Sequence, residues 1–252
     1  VHDRGPGGWA ARLEAGRLER LERAICARRE LVTVVSEADR AALGDFANLR
    51  INPNGVDLEA FRPGPWPRAE RVVLSGNQGY FPNADAALWL AREVCPRVRQ
   101  ARPAAQLVIA GDRPGRAVRG LASEASGIRV TGRVADLGAE IGRARAAVAP
   151  LRAGSGQQLK VLEALACATP VVASPLASAG FPAEARDGVL LADAAVDFAA
   201  SLQALLADPE EARALGLRGR ENAQRHWSWA GSVARLEAGY EELLGRRSST
   251  EA

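Results

Sequence analysis

From Arg71 onward the chain repeats one unit: a short apolar run, a glycine or proline, then an amphipathic stretch. Val72-Val73-Leu74 leads to Gly76, Leu107-Val108-Ile109-Ala110 to Gly111, Ile128-Arg129-Val130 to Gly132, and Ala146-Ala147-Val148-Ala149 to Pro150. Val171-Val172-Ala173 and Val189-Leu190-Leu191 complete the series. Runs this short and almost wholly apolar read as strands buried on both faces, and the amphipathic stretches between them, such as 84–101, as the helices that cover those faces. The pattern predicts an α/β fold, a Rossmann-like parallel sheet covered by helices on both faces. Ligands of such sheets bind beyond the carboxyl ends of the strands. The loops after residues 75, 131 and 150 are therefore expected to line one crevice.

The third of those loops holds the only lysine among 33 basic residues, Lys160. It stands in Gly154-Ser155-Gly156-Gln157-Gln158-Leu159-Lys160-Val161-Leu162-Glu163, a glycine-containing loop that opens a helix. A helix N-terminus presents N–H groups without intrahelical partners and a partial positive charge, and glycine lets a ligand approach the backbone. Those are the requirements of a phosphate site. Glu163, three residues on, shares the helix face of Lys160. A nucleotide sugar fits the pair, the cation meeting a diphosphate and the carboxylate accepting hydrogen bonds from two ribose hydroxyls. An exposed i,i+3 ion pair at a helix start would leave the same sequence trace.

The surrounding residues separate the two readings. Val148-Ala149-Pro150-Leu151 followed by GSGQQLKVLEALACATPVVASP, through Pro175, resembles the signature of GT-B glycosyltransferases of the family 4 type. Asn52-Pro53-Asn54-Gly55-Val56-Asp57 with Phe61 and Pro63 is similar to the segment that leads into that family's donor domain. Val130-Thr131-Gly132-Arg133-Val134 with Asp136 resembles its base-contacting loop, and Trp227-Ser228-Trp229 its closing segment. The matches run in the family's order from about residue 31 to 245. Gly76 and Phe81-Pro82-Asn83-Ala84-Asp85 look nearest to bacterial sugar transferases associated with exopolysaccharide and exosortase systems.

The resemblance implies a retaining, metal-independent glycosyltransferase, this chain supplying the donor half. It would move a sugar from a nucleotide diphosphate sugar to a glycan or lipid-linked acceptor in polysaccharide biosynthesis. Glu163 matches the second glutamate of the family's E-x7-E motif, the one that reads the ribose, and Lys160 the basic residue that meets the diphosphate. These two are the expected catalytic residues. Gly76, Asn77, Arg133, Val134, Gly154, Ser155, Gly156, Gln157, Gln158 and Leu159 are expected to bind nucleotide or phosphate. The chain departs from the family twice. The first glutamate falls on Ser155, a hydroxyl with no negative charge, and the loop after Gly76 carries Asn77, Pro82 and Asn83 where many members have Arg and Lys. Those departures keep open a non-catalytic nucleotide-sugar-binding subunit; a GT-B-type nucleotide-sugar epimerase is a second alternative.

Composition excludes several other classes. Net charge is +3, but arginines alternate with glutamates along helices and aromatics are scarce, so no nucleic-acid surface is expected. Cys26, Cys95 and Cys167 are odd in number and unpaired in spacing, which indicates neither a disulfide framework nor a zinc site. There is no Asp-x-Asp and no His-Glu-x-x-His, so neither cofactor nor metal is expected. No apolar segment reaches membrane-spanning length. The expected setting is cytoplasmic, compatible with peripheral association at the inner membrane face.

The domains read as 1–53, the tail of an N-terminal acceptor domain; 54–228, the donor domain; and 229–252, a helix crossing back. Ser36 is the expected N-cap of a helix after the strand Leu31–Val35. Pro53, Pro63, Pro65 and Pro67 mark a linker. Trp229, Val233, Leu236, Tyr240 and Leu243 form an apolar seam whose expected role is core packing. The chain starts at Val1 and contains no methionine, and the resemblance implies an N-terminal domain ahead of the point where the match begins. The expectation is a fragment that binds donor, transfers little sugar alone, and self-associates through the exposed seam of the last helix.

Overall fold

β-branched and aliphatic runs become strands here because helices cover both of their faces. The computed structural model describes residues 6–154 and 156–250, with side chains described from 14 to 245. The chain divides into two units, residues up to 54 together with those from 230, and Gly55–Trp229.

The first unit opens with α1 (Pro6–Arg28), β1 (Val32–Val34), α2 (Glu37–Leu43) and β2 (Leu49–Ile51). The two strands pair in parallel, Val32 opposite Leu49. Ser36 caps α2, its Oγ accepting from the Asp39 amide at 3.1 Å and donating to the Asp39 carboxylate at 2.6 Å. Asn48 ties β2 to α1 by donating to the carbonyls of Cys26 and Arg29.

The second unit contains β3 (Ala69–Ser75), α3 (Phe81–Trp89), a π-helical turn (Leu90–Val94), α4 (Cys95–Ala101), β4 (Gln106–Ala110), α5 (Arg116–Arg119) and β5 (Ile128–Gly132). It continues with α6 (Leu137–Gly142), β6 (Ala144–Ala149), α7 (Leu159–Ala166), β7 (Val171–Ala173), α8 (Pro175–Ser178), β8 (Val189–Leu191), α9 (Ala195–Ala207) and α10 (Pro209–His226). The six strands β3–β8 form one sheet in the order β5-β4-β3-β6-β7-β8, every pair parallel. Side chains alternate between two cores. Leu74, Ile109 and Val148 pack with Leu90, Phe198 and Leu202 on one face. Val73, Val108 and Ala147 pack with Ile141, Leu162 and Leu165 on the other. The π turn has a local cause. Pro96 has no N–H, and its ring would press on the carbonyl four residues back. The helix widens just before it, with the Cys95 amide bonded to the Leu90 carbonyl.

The last helix, α11 (Trp229–Thr250), belongs to the first unit from Ala230 on. Ser232 Oγ and Arg235 Nε donate to Asn52 Oδ1 there. Two expectations need correction. The proline-rich stretch is not a free linker: from Gly55 it packs on the sheet unit, the Val56 amide donating to the Trp227 carbonyl at 2.7 Å and Arg220 donating to the Phe61 carbonyl. Gly64 also lies so close to Gly142 that a Cβ would stand 2.3 Å from its carbonyl oxygen. Nor is the α11 seam core: Trp229, Val233 and Tyr240 are about half exposed, and Leu236 and Leu243 only partly buried. Their period is helical, but a regular period does not itself supply a partner.

Strand ends β3 and β4 touch through glycine. Gly111 has φ +148, and a Cβ on it would lie 1.8 Å from the carbonyl oxygen of Gly76. Gly111→Ala is expected to cost at least about 2 kcal/mol, because both the left-handed backbone and the contact forbid a side chain. Urea unfolding measures it, and an unchanged midpoint would contradict the close approach.

Candidate functional site

The site is built where the ends of β3 and β6 meet the starts of α3 and α7. After β3, Gly76 turns the chain with φ +134. Asn77 follows, exposed, its Oδ1 accepting from the Gly79 amide at 2.9 Å. Pro82, near the first position of α3, favours a helix start there, which puts Asn83 in the first turn. Asn83 is 7% exposed. Its Nδ2 donates to the Asn77 carbonyl at 2.9 Å, and its Oδ1 accepts from Lys160 Nζ.

On the other side of β3, the loop after β6 runs from Pro150 to Gln158. Gly154 and Gly156 take φ +113 and +76, and a Cβ on Gly156 would meet nothing within 4 Å. Glycine there supplies backbone freedom and open space rather than packing. A Cβ on Gly154 would lie 3.8 Å from Pro82, so this loop adjoins the start of α3. Gln157 is buried and packs against Gly180, while Leu159 is 45% exposed. Gln158 occupies the N-cap position of α7 and makes no side-chain cap bond. Ser155 lies outside the described residues.

Lys160 and Glu163 both project from the first two turns of α7 and are partly buried. Burial pushes the Lys160 ammonium down to about 8, against the pull of Glu163. Burial likewise raises the Glu163 carboxyl, against the pull of Lys160. They do not form the closed i,i+3 ion pair that was the alternative reading. The ammonium is engaged by Asn83 instead. Glu163's carboxylate has no hydrogen-bond or ion-pair partner among the described residues.

Arg133 and Val134 follow β5, the edge strand, two strands from β3. Arg133 is exposed, with no side-chain hydrogen bond among the described residues. The structure thus brings Gly76, Asn77, Gly154 and Lys160 together through Pro82 and Asn83 at the start of α3, and sets Arg133 and Val134 at the far side of the same sheet edge. From β5 to β6 is three strand spacings, about 14 Å. Sequence reading noted Asn83 only as standing where a cation is usual; its hydrogen bond to Lys160 needed the fold. A cleft of about 500 Å³ also opens beyond Pro150–Arg152, toward Ser174, Asp193 and Phe198. Arg152 is committed there, ion-paired to Asp85 at 2.6 Å and placed 5.9 Å from the centre of the Trp89 ring. Among the described residues no group of three His, Cys, Asp or Glu side chains is placed to hold a metal ion. No helix there is long and apolar enough to cross a membrane.

The family model of glycosyl transferases group 1 matches residues 69–208, from the first residue of β3 to the end of α9. The chain belongs to this family, and its sheet unit has the architecture of a GT-B glycosyltransferase domain. A GDP-mannose-dependent α-(1-6)-phosphatidylinositol monomannoside mannosyltransferase of Mycolicibacterium smegmatis is 31% identical, over 88% of this chain and 64% of the relative. Sucrose-phosphate synthase of Thermosynechococcus elongatus superposes with a TM-score of 0.75 at 25% identity, over 90% of this chain and 62% of the other. HepE of Anabaena, solved with UDP and glucose, gives 0.72 at 13% identity, over 88% and 67%. The chain therefore spans somewhat under two thirds of the length of the first two.

The lysine's burial has a measurable sign. With a folded value of about 8 against an ordinary 10.5, burying the ammonium costs stability below pH 8, and the cost is relieved as pH rises from 8 to 10.5. Wild type should gain about 2–3 kcal/mol relative to Lys160→Met across that window, when unfolding is followed by denaturant titration. A difference independent of pH would mean that Lys160 is solvated.

Proposed function

We propose that this chain is the donor-binding part of a retaining glycosyltransferase that takes its sugar from a nucleotide diphosphate sugar. The observation that carries the reading is the pairing at α7: a partly buried cation on one turn, and on the next a carboxylate with no hydrogen-bond or ion-pair partner among the described residues. The diphosphate sits against the start of α7, held by Lys160 and by the backbone of Gly154–Leu159, including Ser155. The ribose hydroxyls bond to Glu163, and the base reaches toward Arg133 and Val134. As the bond from sugar to diphosphate breaks, negative charge grows on the leaving oxygen. Lys160 and N–H groups already aimed at that point lower the barrier without a divalent ion. The acceptor is a glycan or a lipid-linked acceptor in polysaccharide assembly. The mannosyltransferase and the UDP complex of HepE agree with a nucleotide-linked donor. Ser155, in the position of the first motif glutamate, favours a second reading: a subunit that binds the donor without transferring it. Donor consumption measured with and without a crude lipid-linked acceptor separates them.

Calorimetric titration with UDP and GDP tests the binding claim. Lys160→Ala should weaken the preferred nucleotide by about 1.5–3 kcal/mol, the worth of a charge-assisted contact. Equal affinity in the two proteins would remove the diphosphate role.

Glu163→Gln should weaken binding while the melting temperature barely moves, because among the described residues that carboxylate has no hydrogen-bond or ion-pair partner to lose. A large melting-temperature drop at unchanged affinity would make it structural. EDTA should leave the affinity unaltered.

A further inference from the structure

Asn83 occupies a position that the proposed function leaves without a role. It is an amide buried to 7% exposure in the first turn of α3, and both of its polar ends are used. Nδ2 donates to the carbonyl of Asn77, in the loop after β3, and Oδ1 accepts from Lys160 Nζ, on α7. Asn83 and Lys160 lie 77 residues apart in sequence, and among the described residues this is the only side-chain bond that Lys160 makes. The fit is close. A Cβ on Gly76 would stand 2.9 Å from Asn83 Nδ2, so the amide and the glycine turn occupy one packed unit. A flexible lysine side chain on a helix start otherwise has about 2 kcal/mol of rotamer freedom to lose when it is fixed.

We propose that Asn83 is the positioning residue of the diphosphate site: its amide fixes the Lys160 ammonium between the loop after β3 and the start of α7, where the diphosphate binds. The proposal rests on the donor-site reading above. In the family members that carry Arg and Lys on this loop, cations would act on the phosphates directly. Here a neutral amide aims the one lysine from across the crevice. An amide suits that task because it orients the ammonium without neutralising it, leaving its charge and two remaining N–H donors for phosphate oxygens.

The other charged or titratable groups on the surrounding elements are few. Glu163 lies on α7 itself and acts on Lys160 through its charge. On α3, Asp85 is committed to Arg152. In the loops after β3 and β4 stand Tyr80, and Asp112 with Arg113, the latter two paired at 3.6 Å. Asn83 is the group that contacts the ammonium.

The single lysine makes the test specific. In the full chain labelled with ε-¹³C-lysine, one side-chain resonance reports Lys160, and its pH midpoint can be followed with and without UDP or GDP. The midpoint in the free wild type is expected near 8. Asn83→Ala removes an acceptor from the ammonium and should lower the midpoint. Asn83→Asp, isosteric, sets a carboxylate beside it and should raise the midpoint. Both variants should bind nucleotide about tenfold more weakly, the first because the ammonium is no longer held and the second because the carboxylate competes with phosphate. Midpoints unchanged in both variants would overturn the positioning role. If Asn83→Ala does not fold, Asn83→Asp decides alone, and an unshifted midpoint in it overturns the proposal. A wild-type resonance that neither UDP nor GDP moves would instead overturn the diphosphate reading, whatever the variants do to the free midpoint.

Discussion

The winding of the sheet reverses at β3, and the site exists because of that reversal. β4 and β5 extend the sheet to one side of β3, and β6, β7 and β8 to the other. Connections leave these neighbouring strand ends in opposite directions, and in such sheets that switch point, here between β3 and β6, is where a ligand crevice is expected. Every group assigned to the diphosphate lies on one rim or the other of that crevice. Asn83 joins the rims.

The helix that carries Lys160 is treated differently at its two ends. Its N-terminus has no side-chain cap. Its C-terminus is gripped by arginines: Arg68 donates to the carbonyls of Cys167 and Ala168 and to Thr169 Oγ1, and Arg220 donates to the Ala166 carbonyl. Cations at a helix C-terminus are stabilised by its partial negative charge. Burial lowers the Arg68 guanidinium to about 10, which leaves it charged at neutral pH. That anchoring fixes α7 from the side of the sheet remote from the crevice. A helix held at its C-terminus can meet an anion at its N-terminus without reorganising, which is the condition for electrostatic preorganisation. Cys167, at the same junction, is pushed up to about 12 by burial and stays a thiol.

Much of this was legible in the residues. Strands buried on both faces announce themselves as unbroken apolar runs, so β3, β4, β6, β7 and β8 and the parallel order of their loops followed from composition and punctuation. Lys160 stood out because arginine fills every other basic position. What escaped the sequence was contact. Prolines 63, 65 and 67 break regular structure equally well in a linker or in a segment packed on a sheet, and only the fold distinguishes them. The seam of α11 has a core-like period whether or not anything covers it. Asn83 is an ordinary helix-start residue until the fold brings Lys160 to it from 77 positions away.

The central claim, that α7 presents Lys160 and Glu163 to a nucleoside diphosphate, is tested most directly by a crystal structure of this chain with UDP or GDP. Phosphate oxygens are expected within hydrogen-bond distance of Lys160 Nζ and of N–H groups at the start of α7, with ribose hydroxyls on Glu163. A nucleotide bound elsewhere on the chain, with Lys160 still held by Asn83 and Glu163 unengaged, would contradict it.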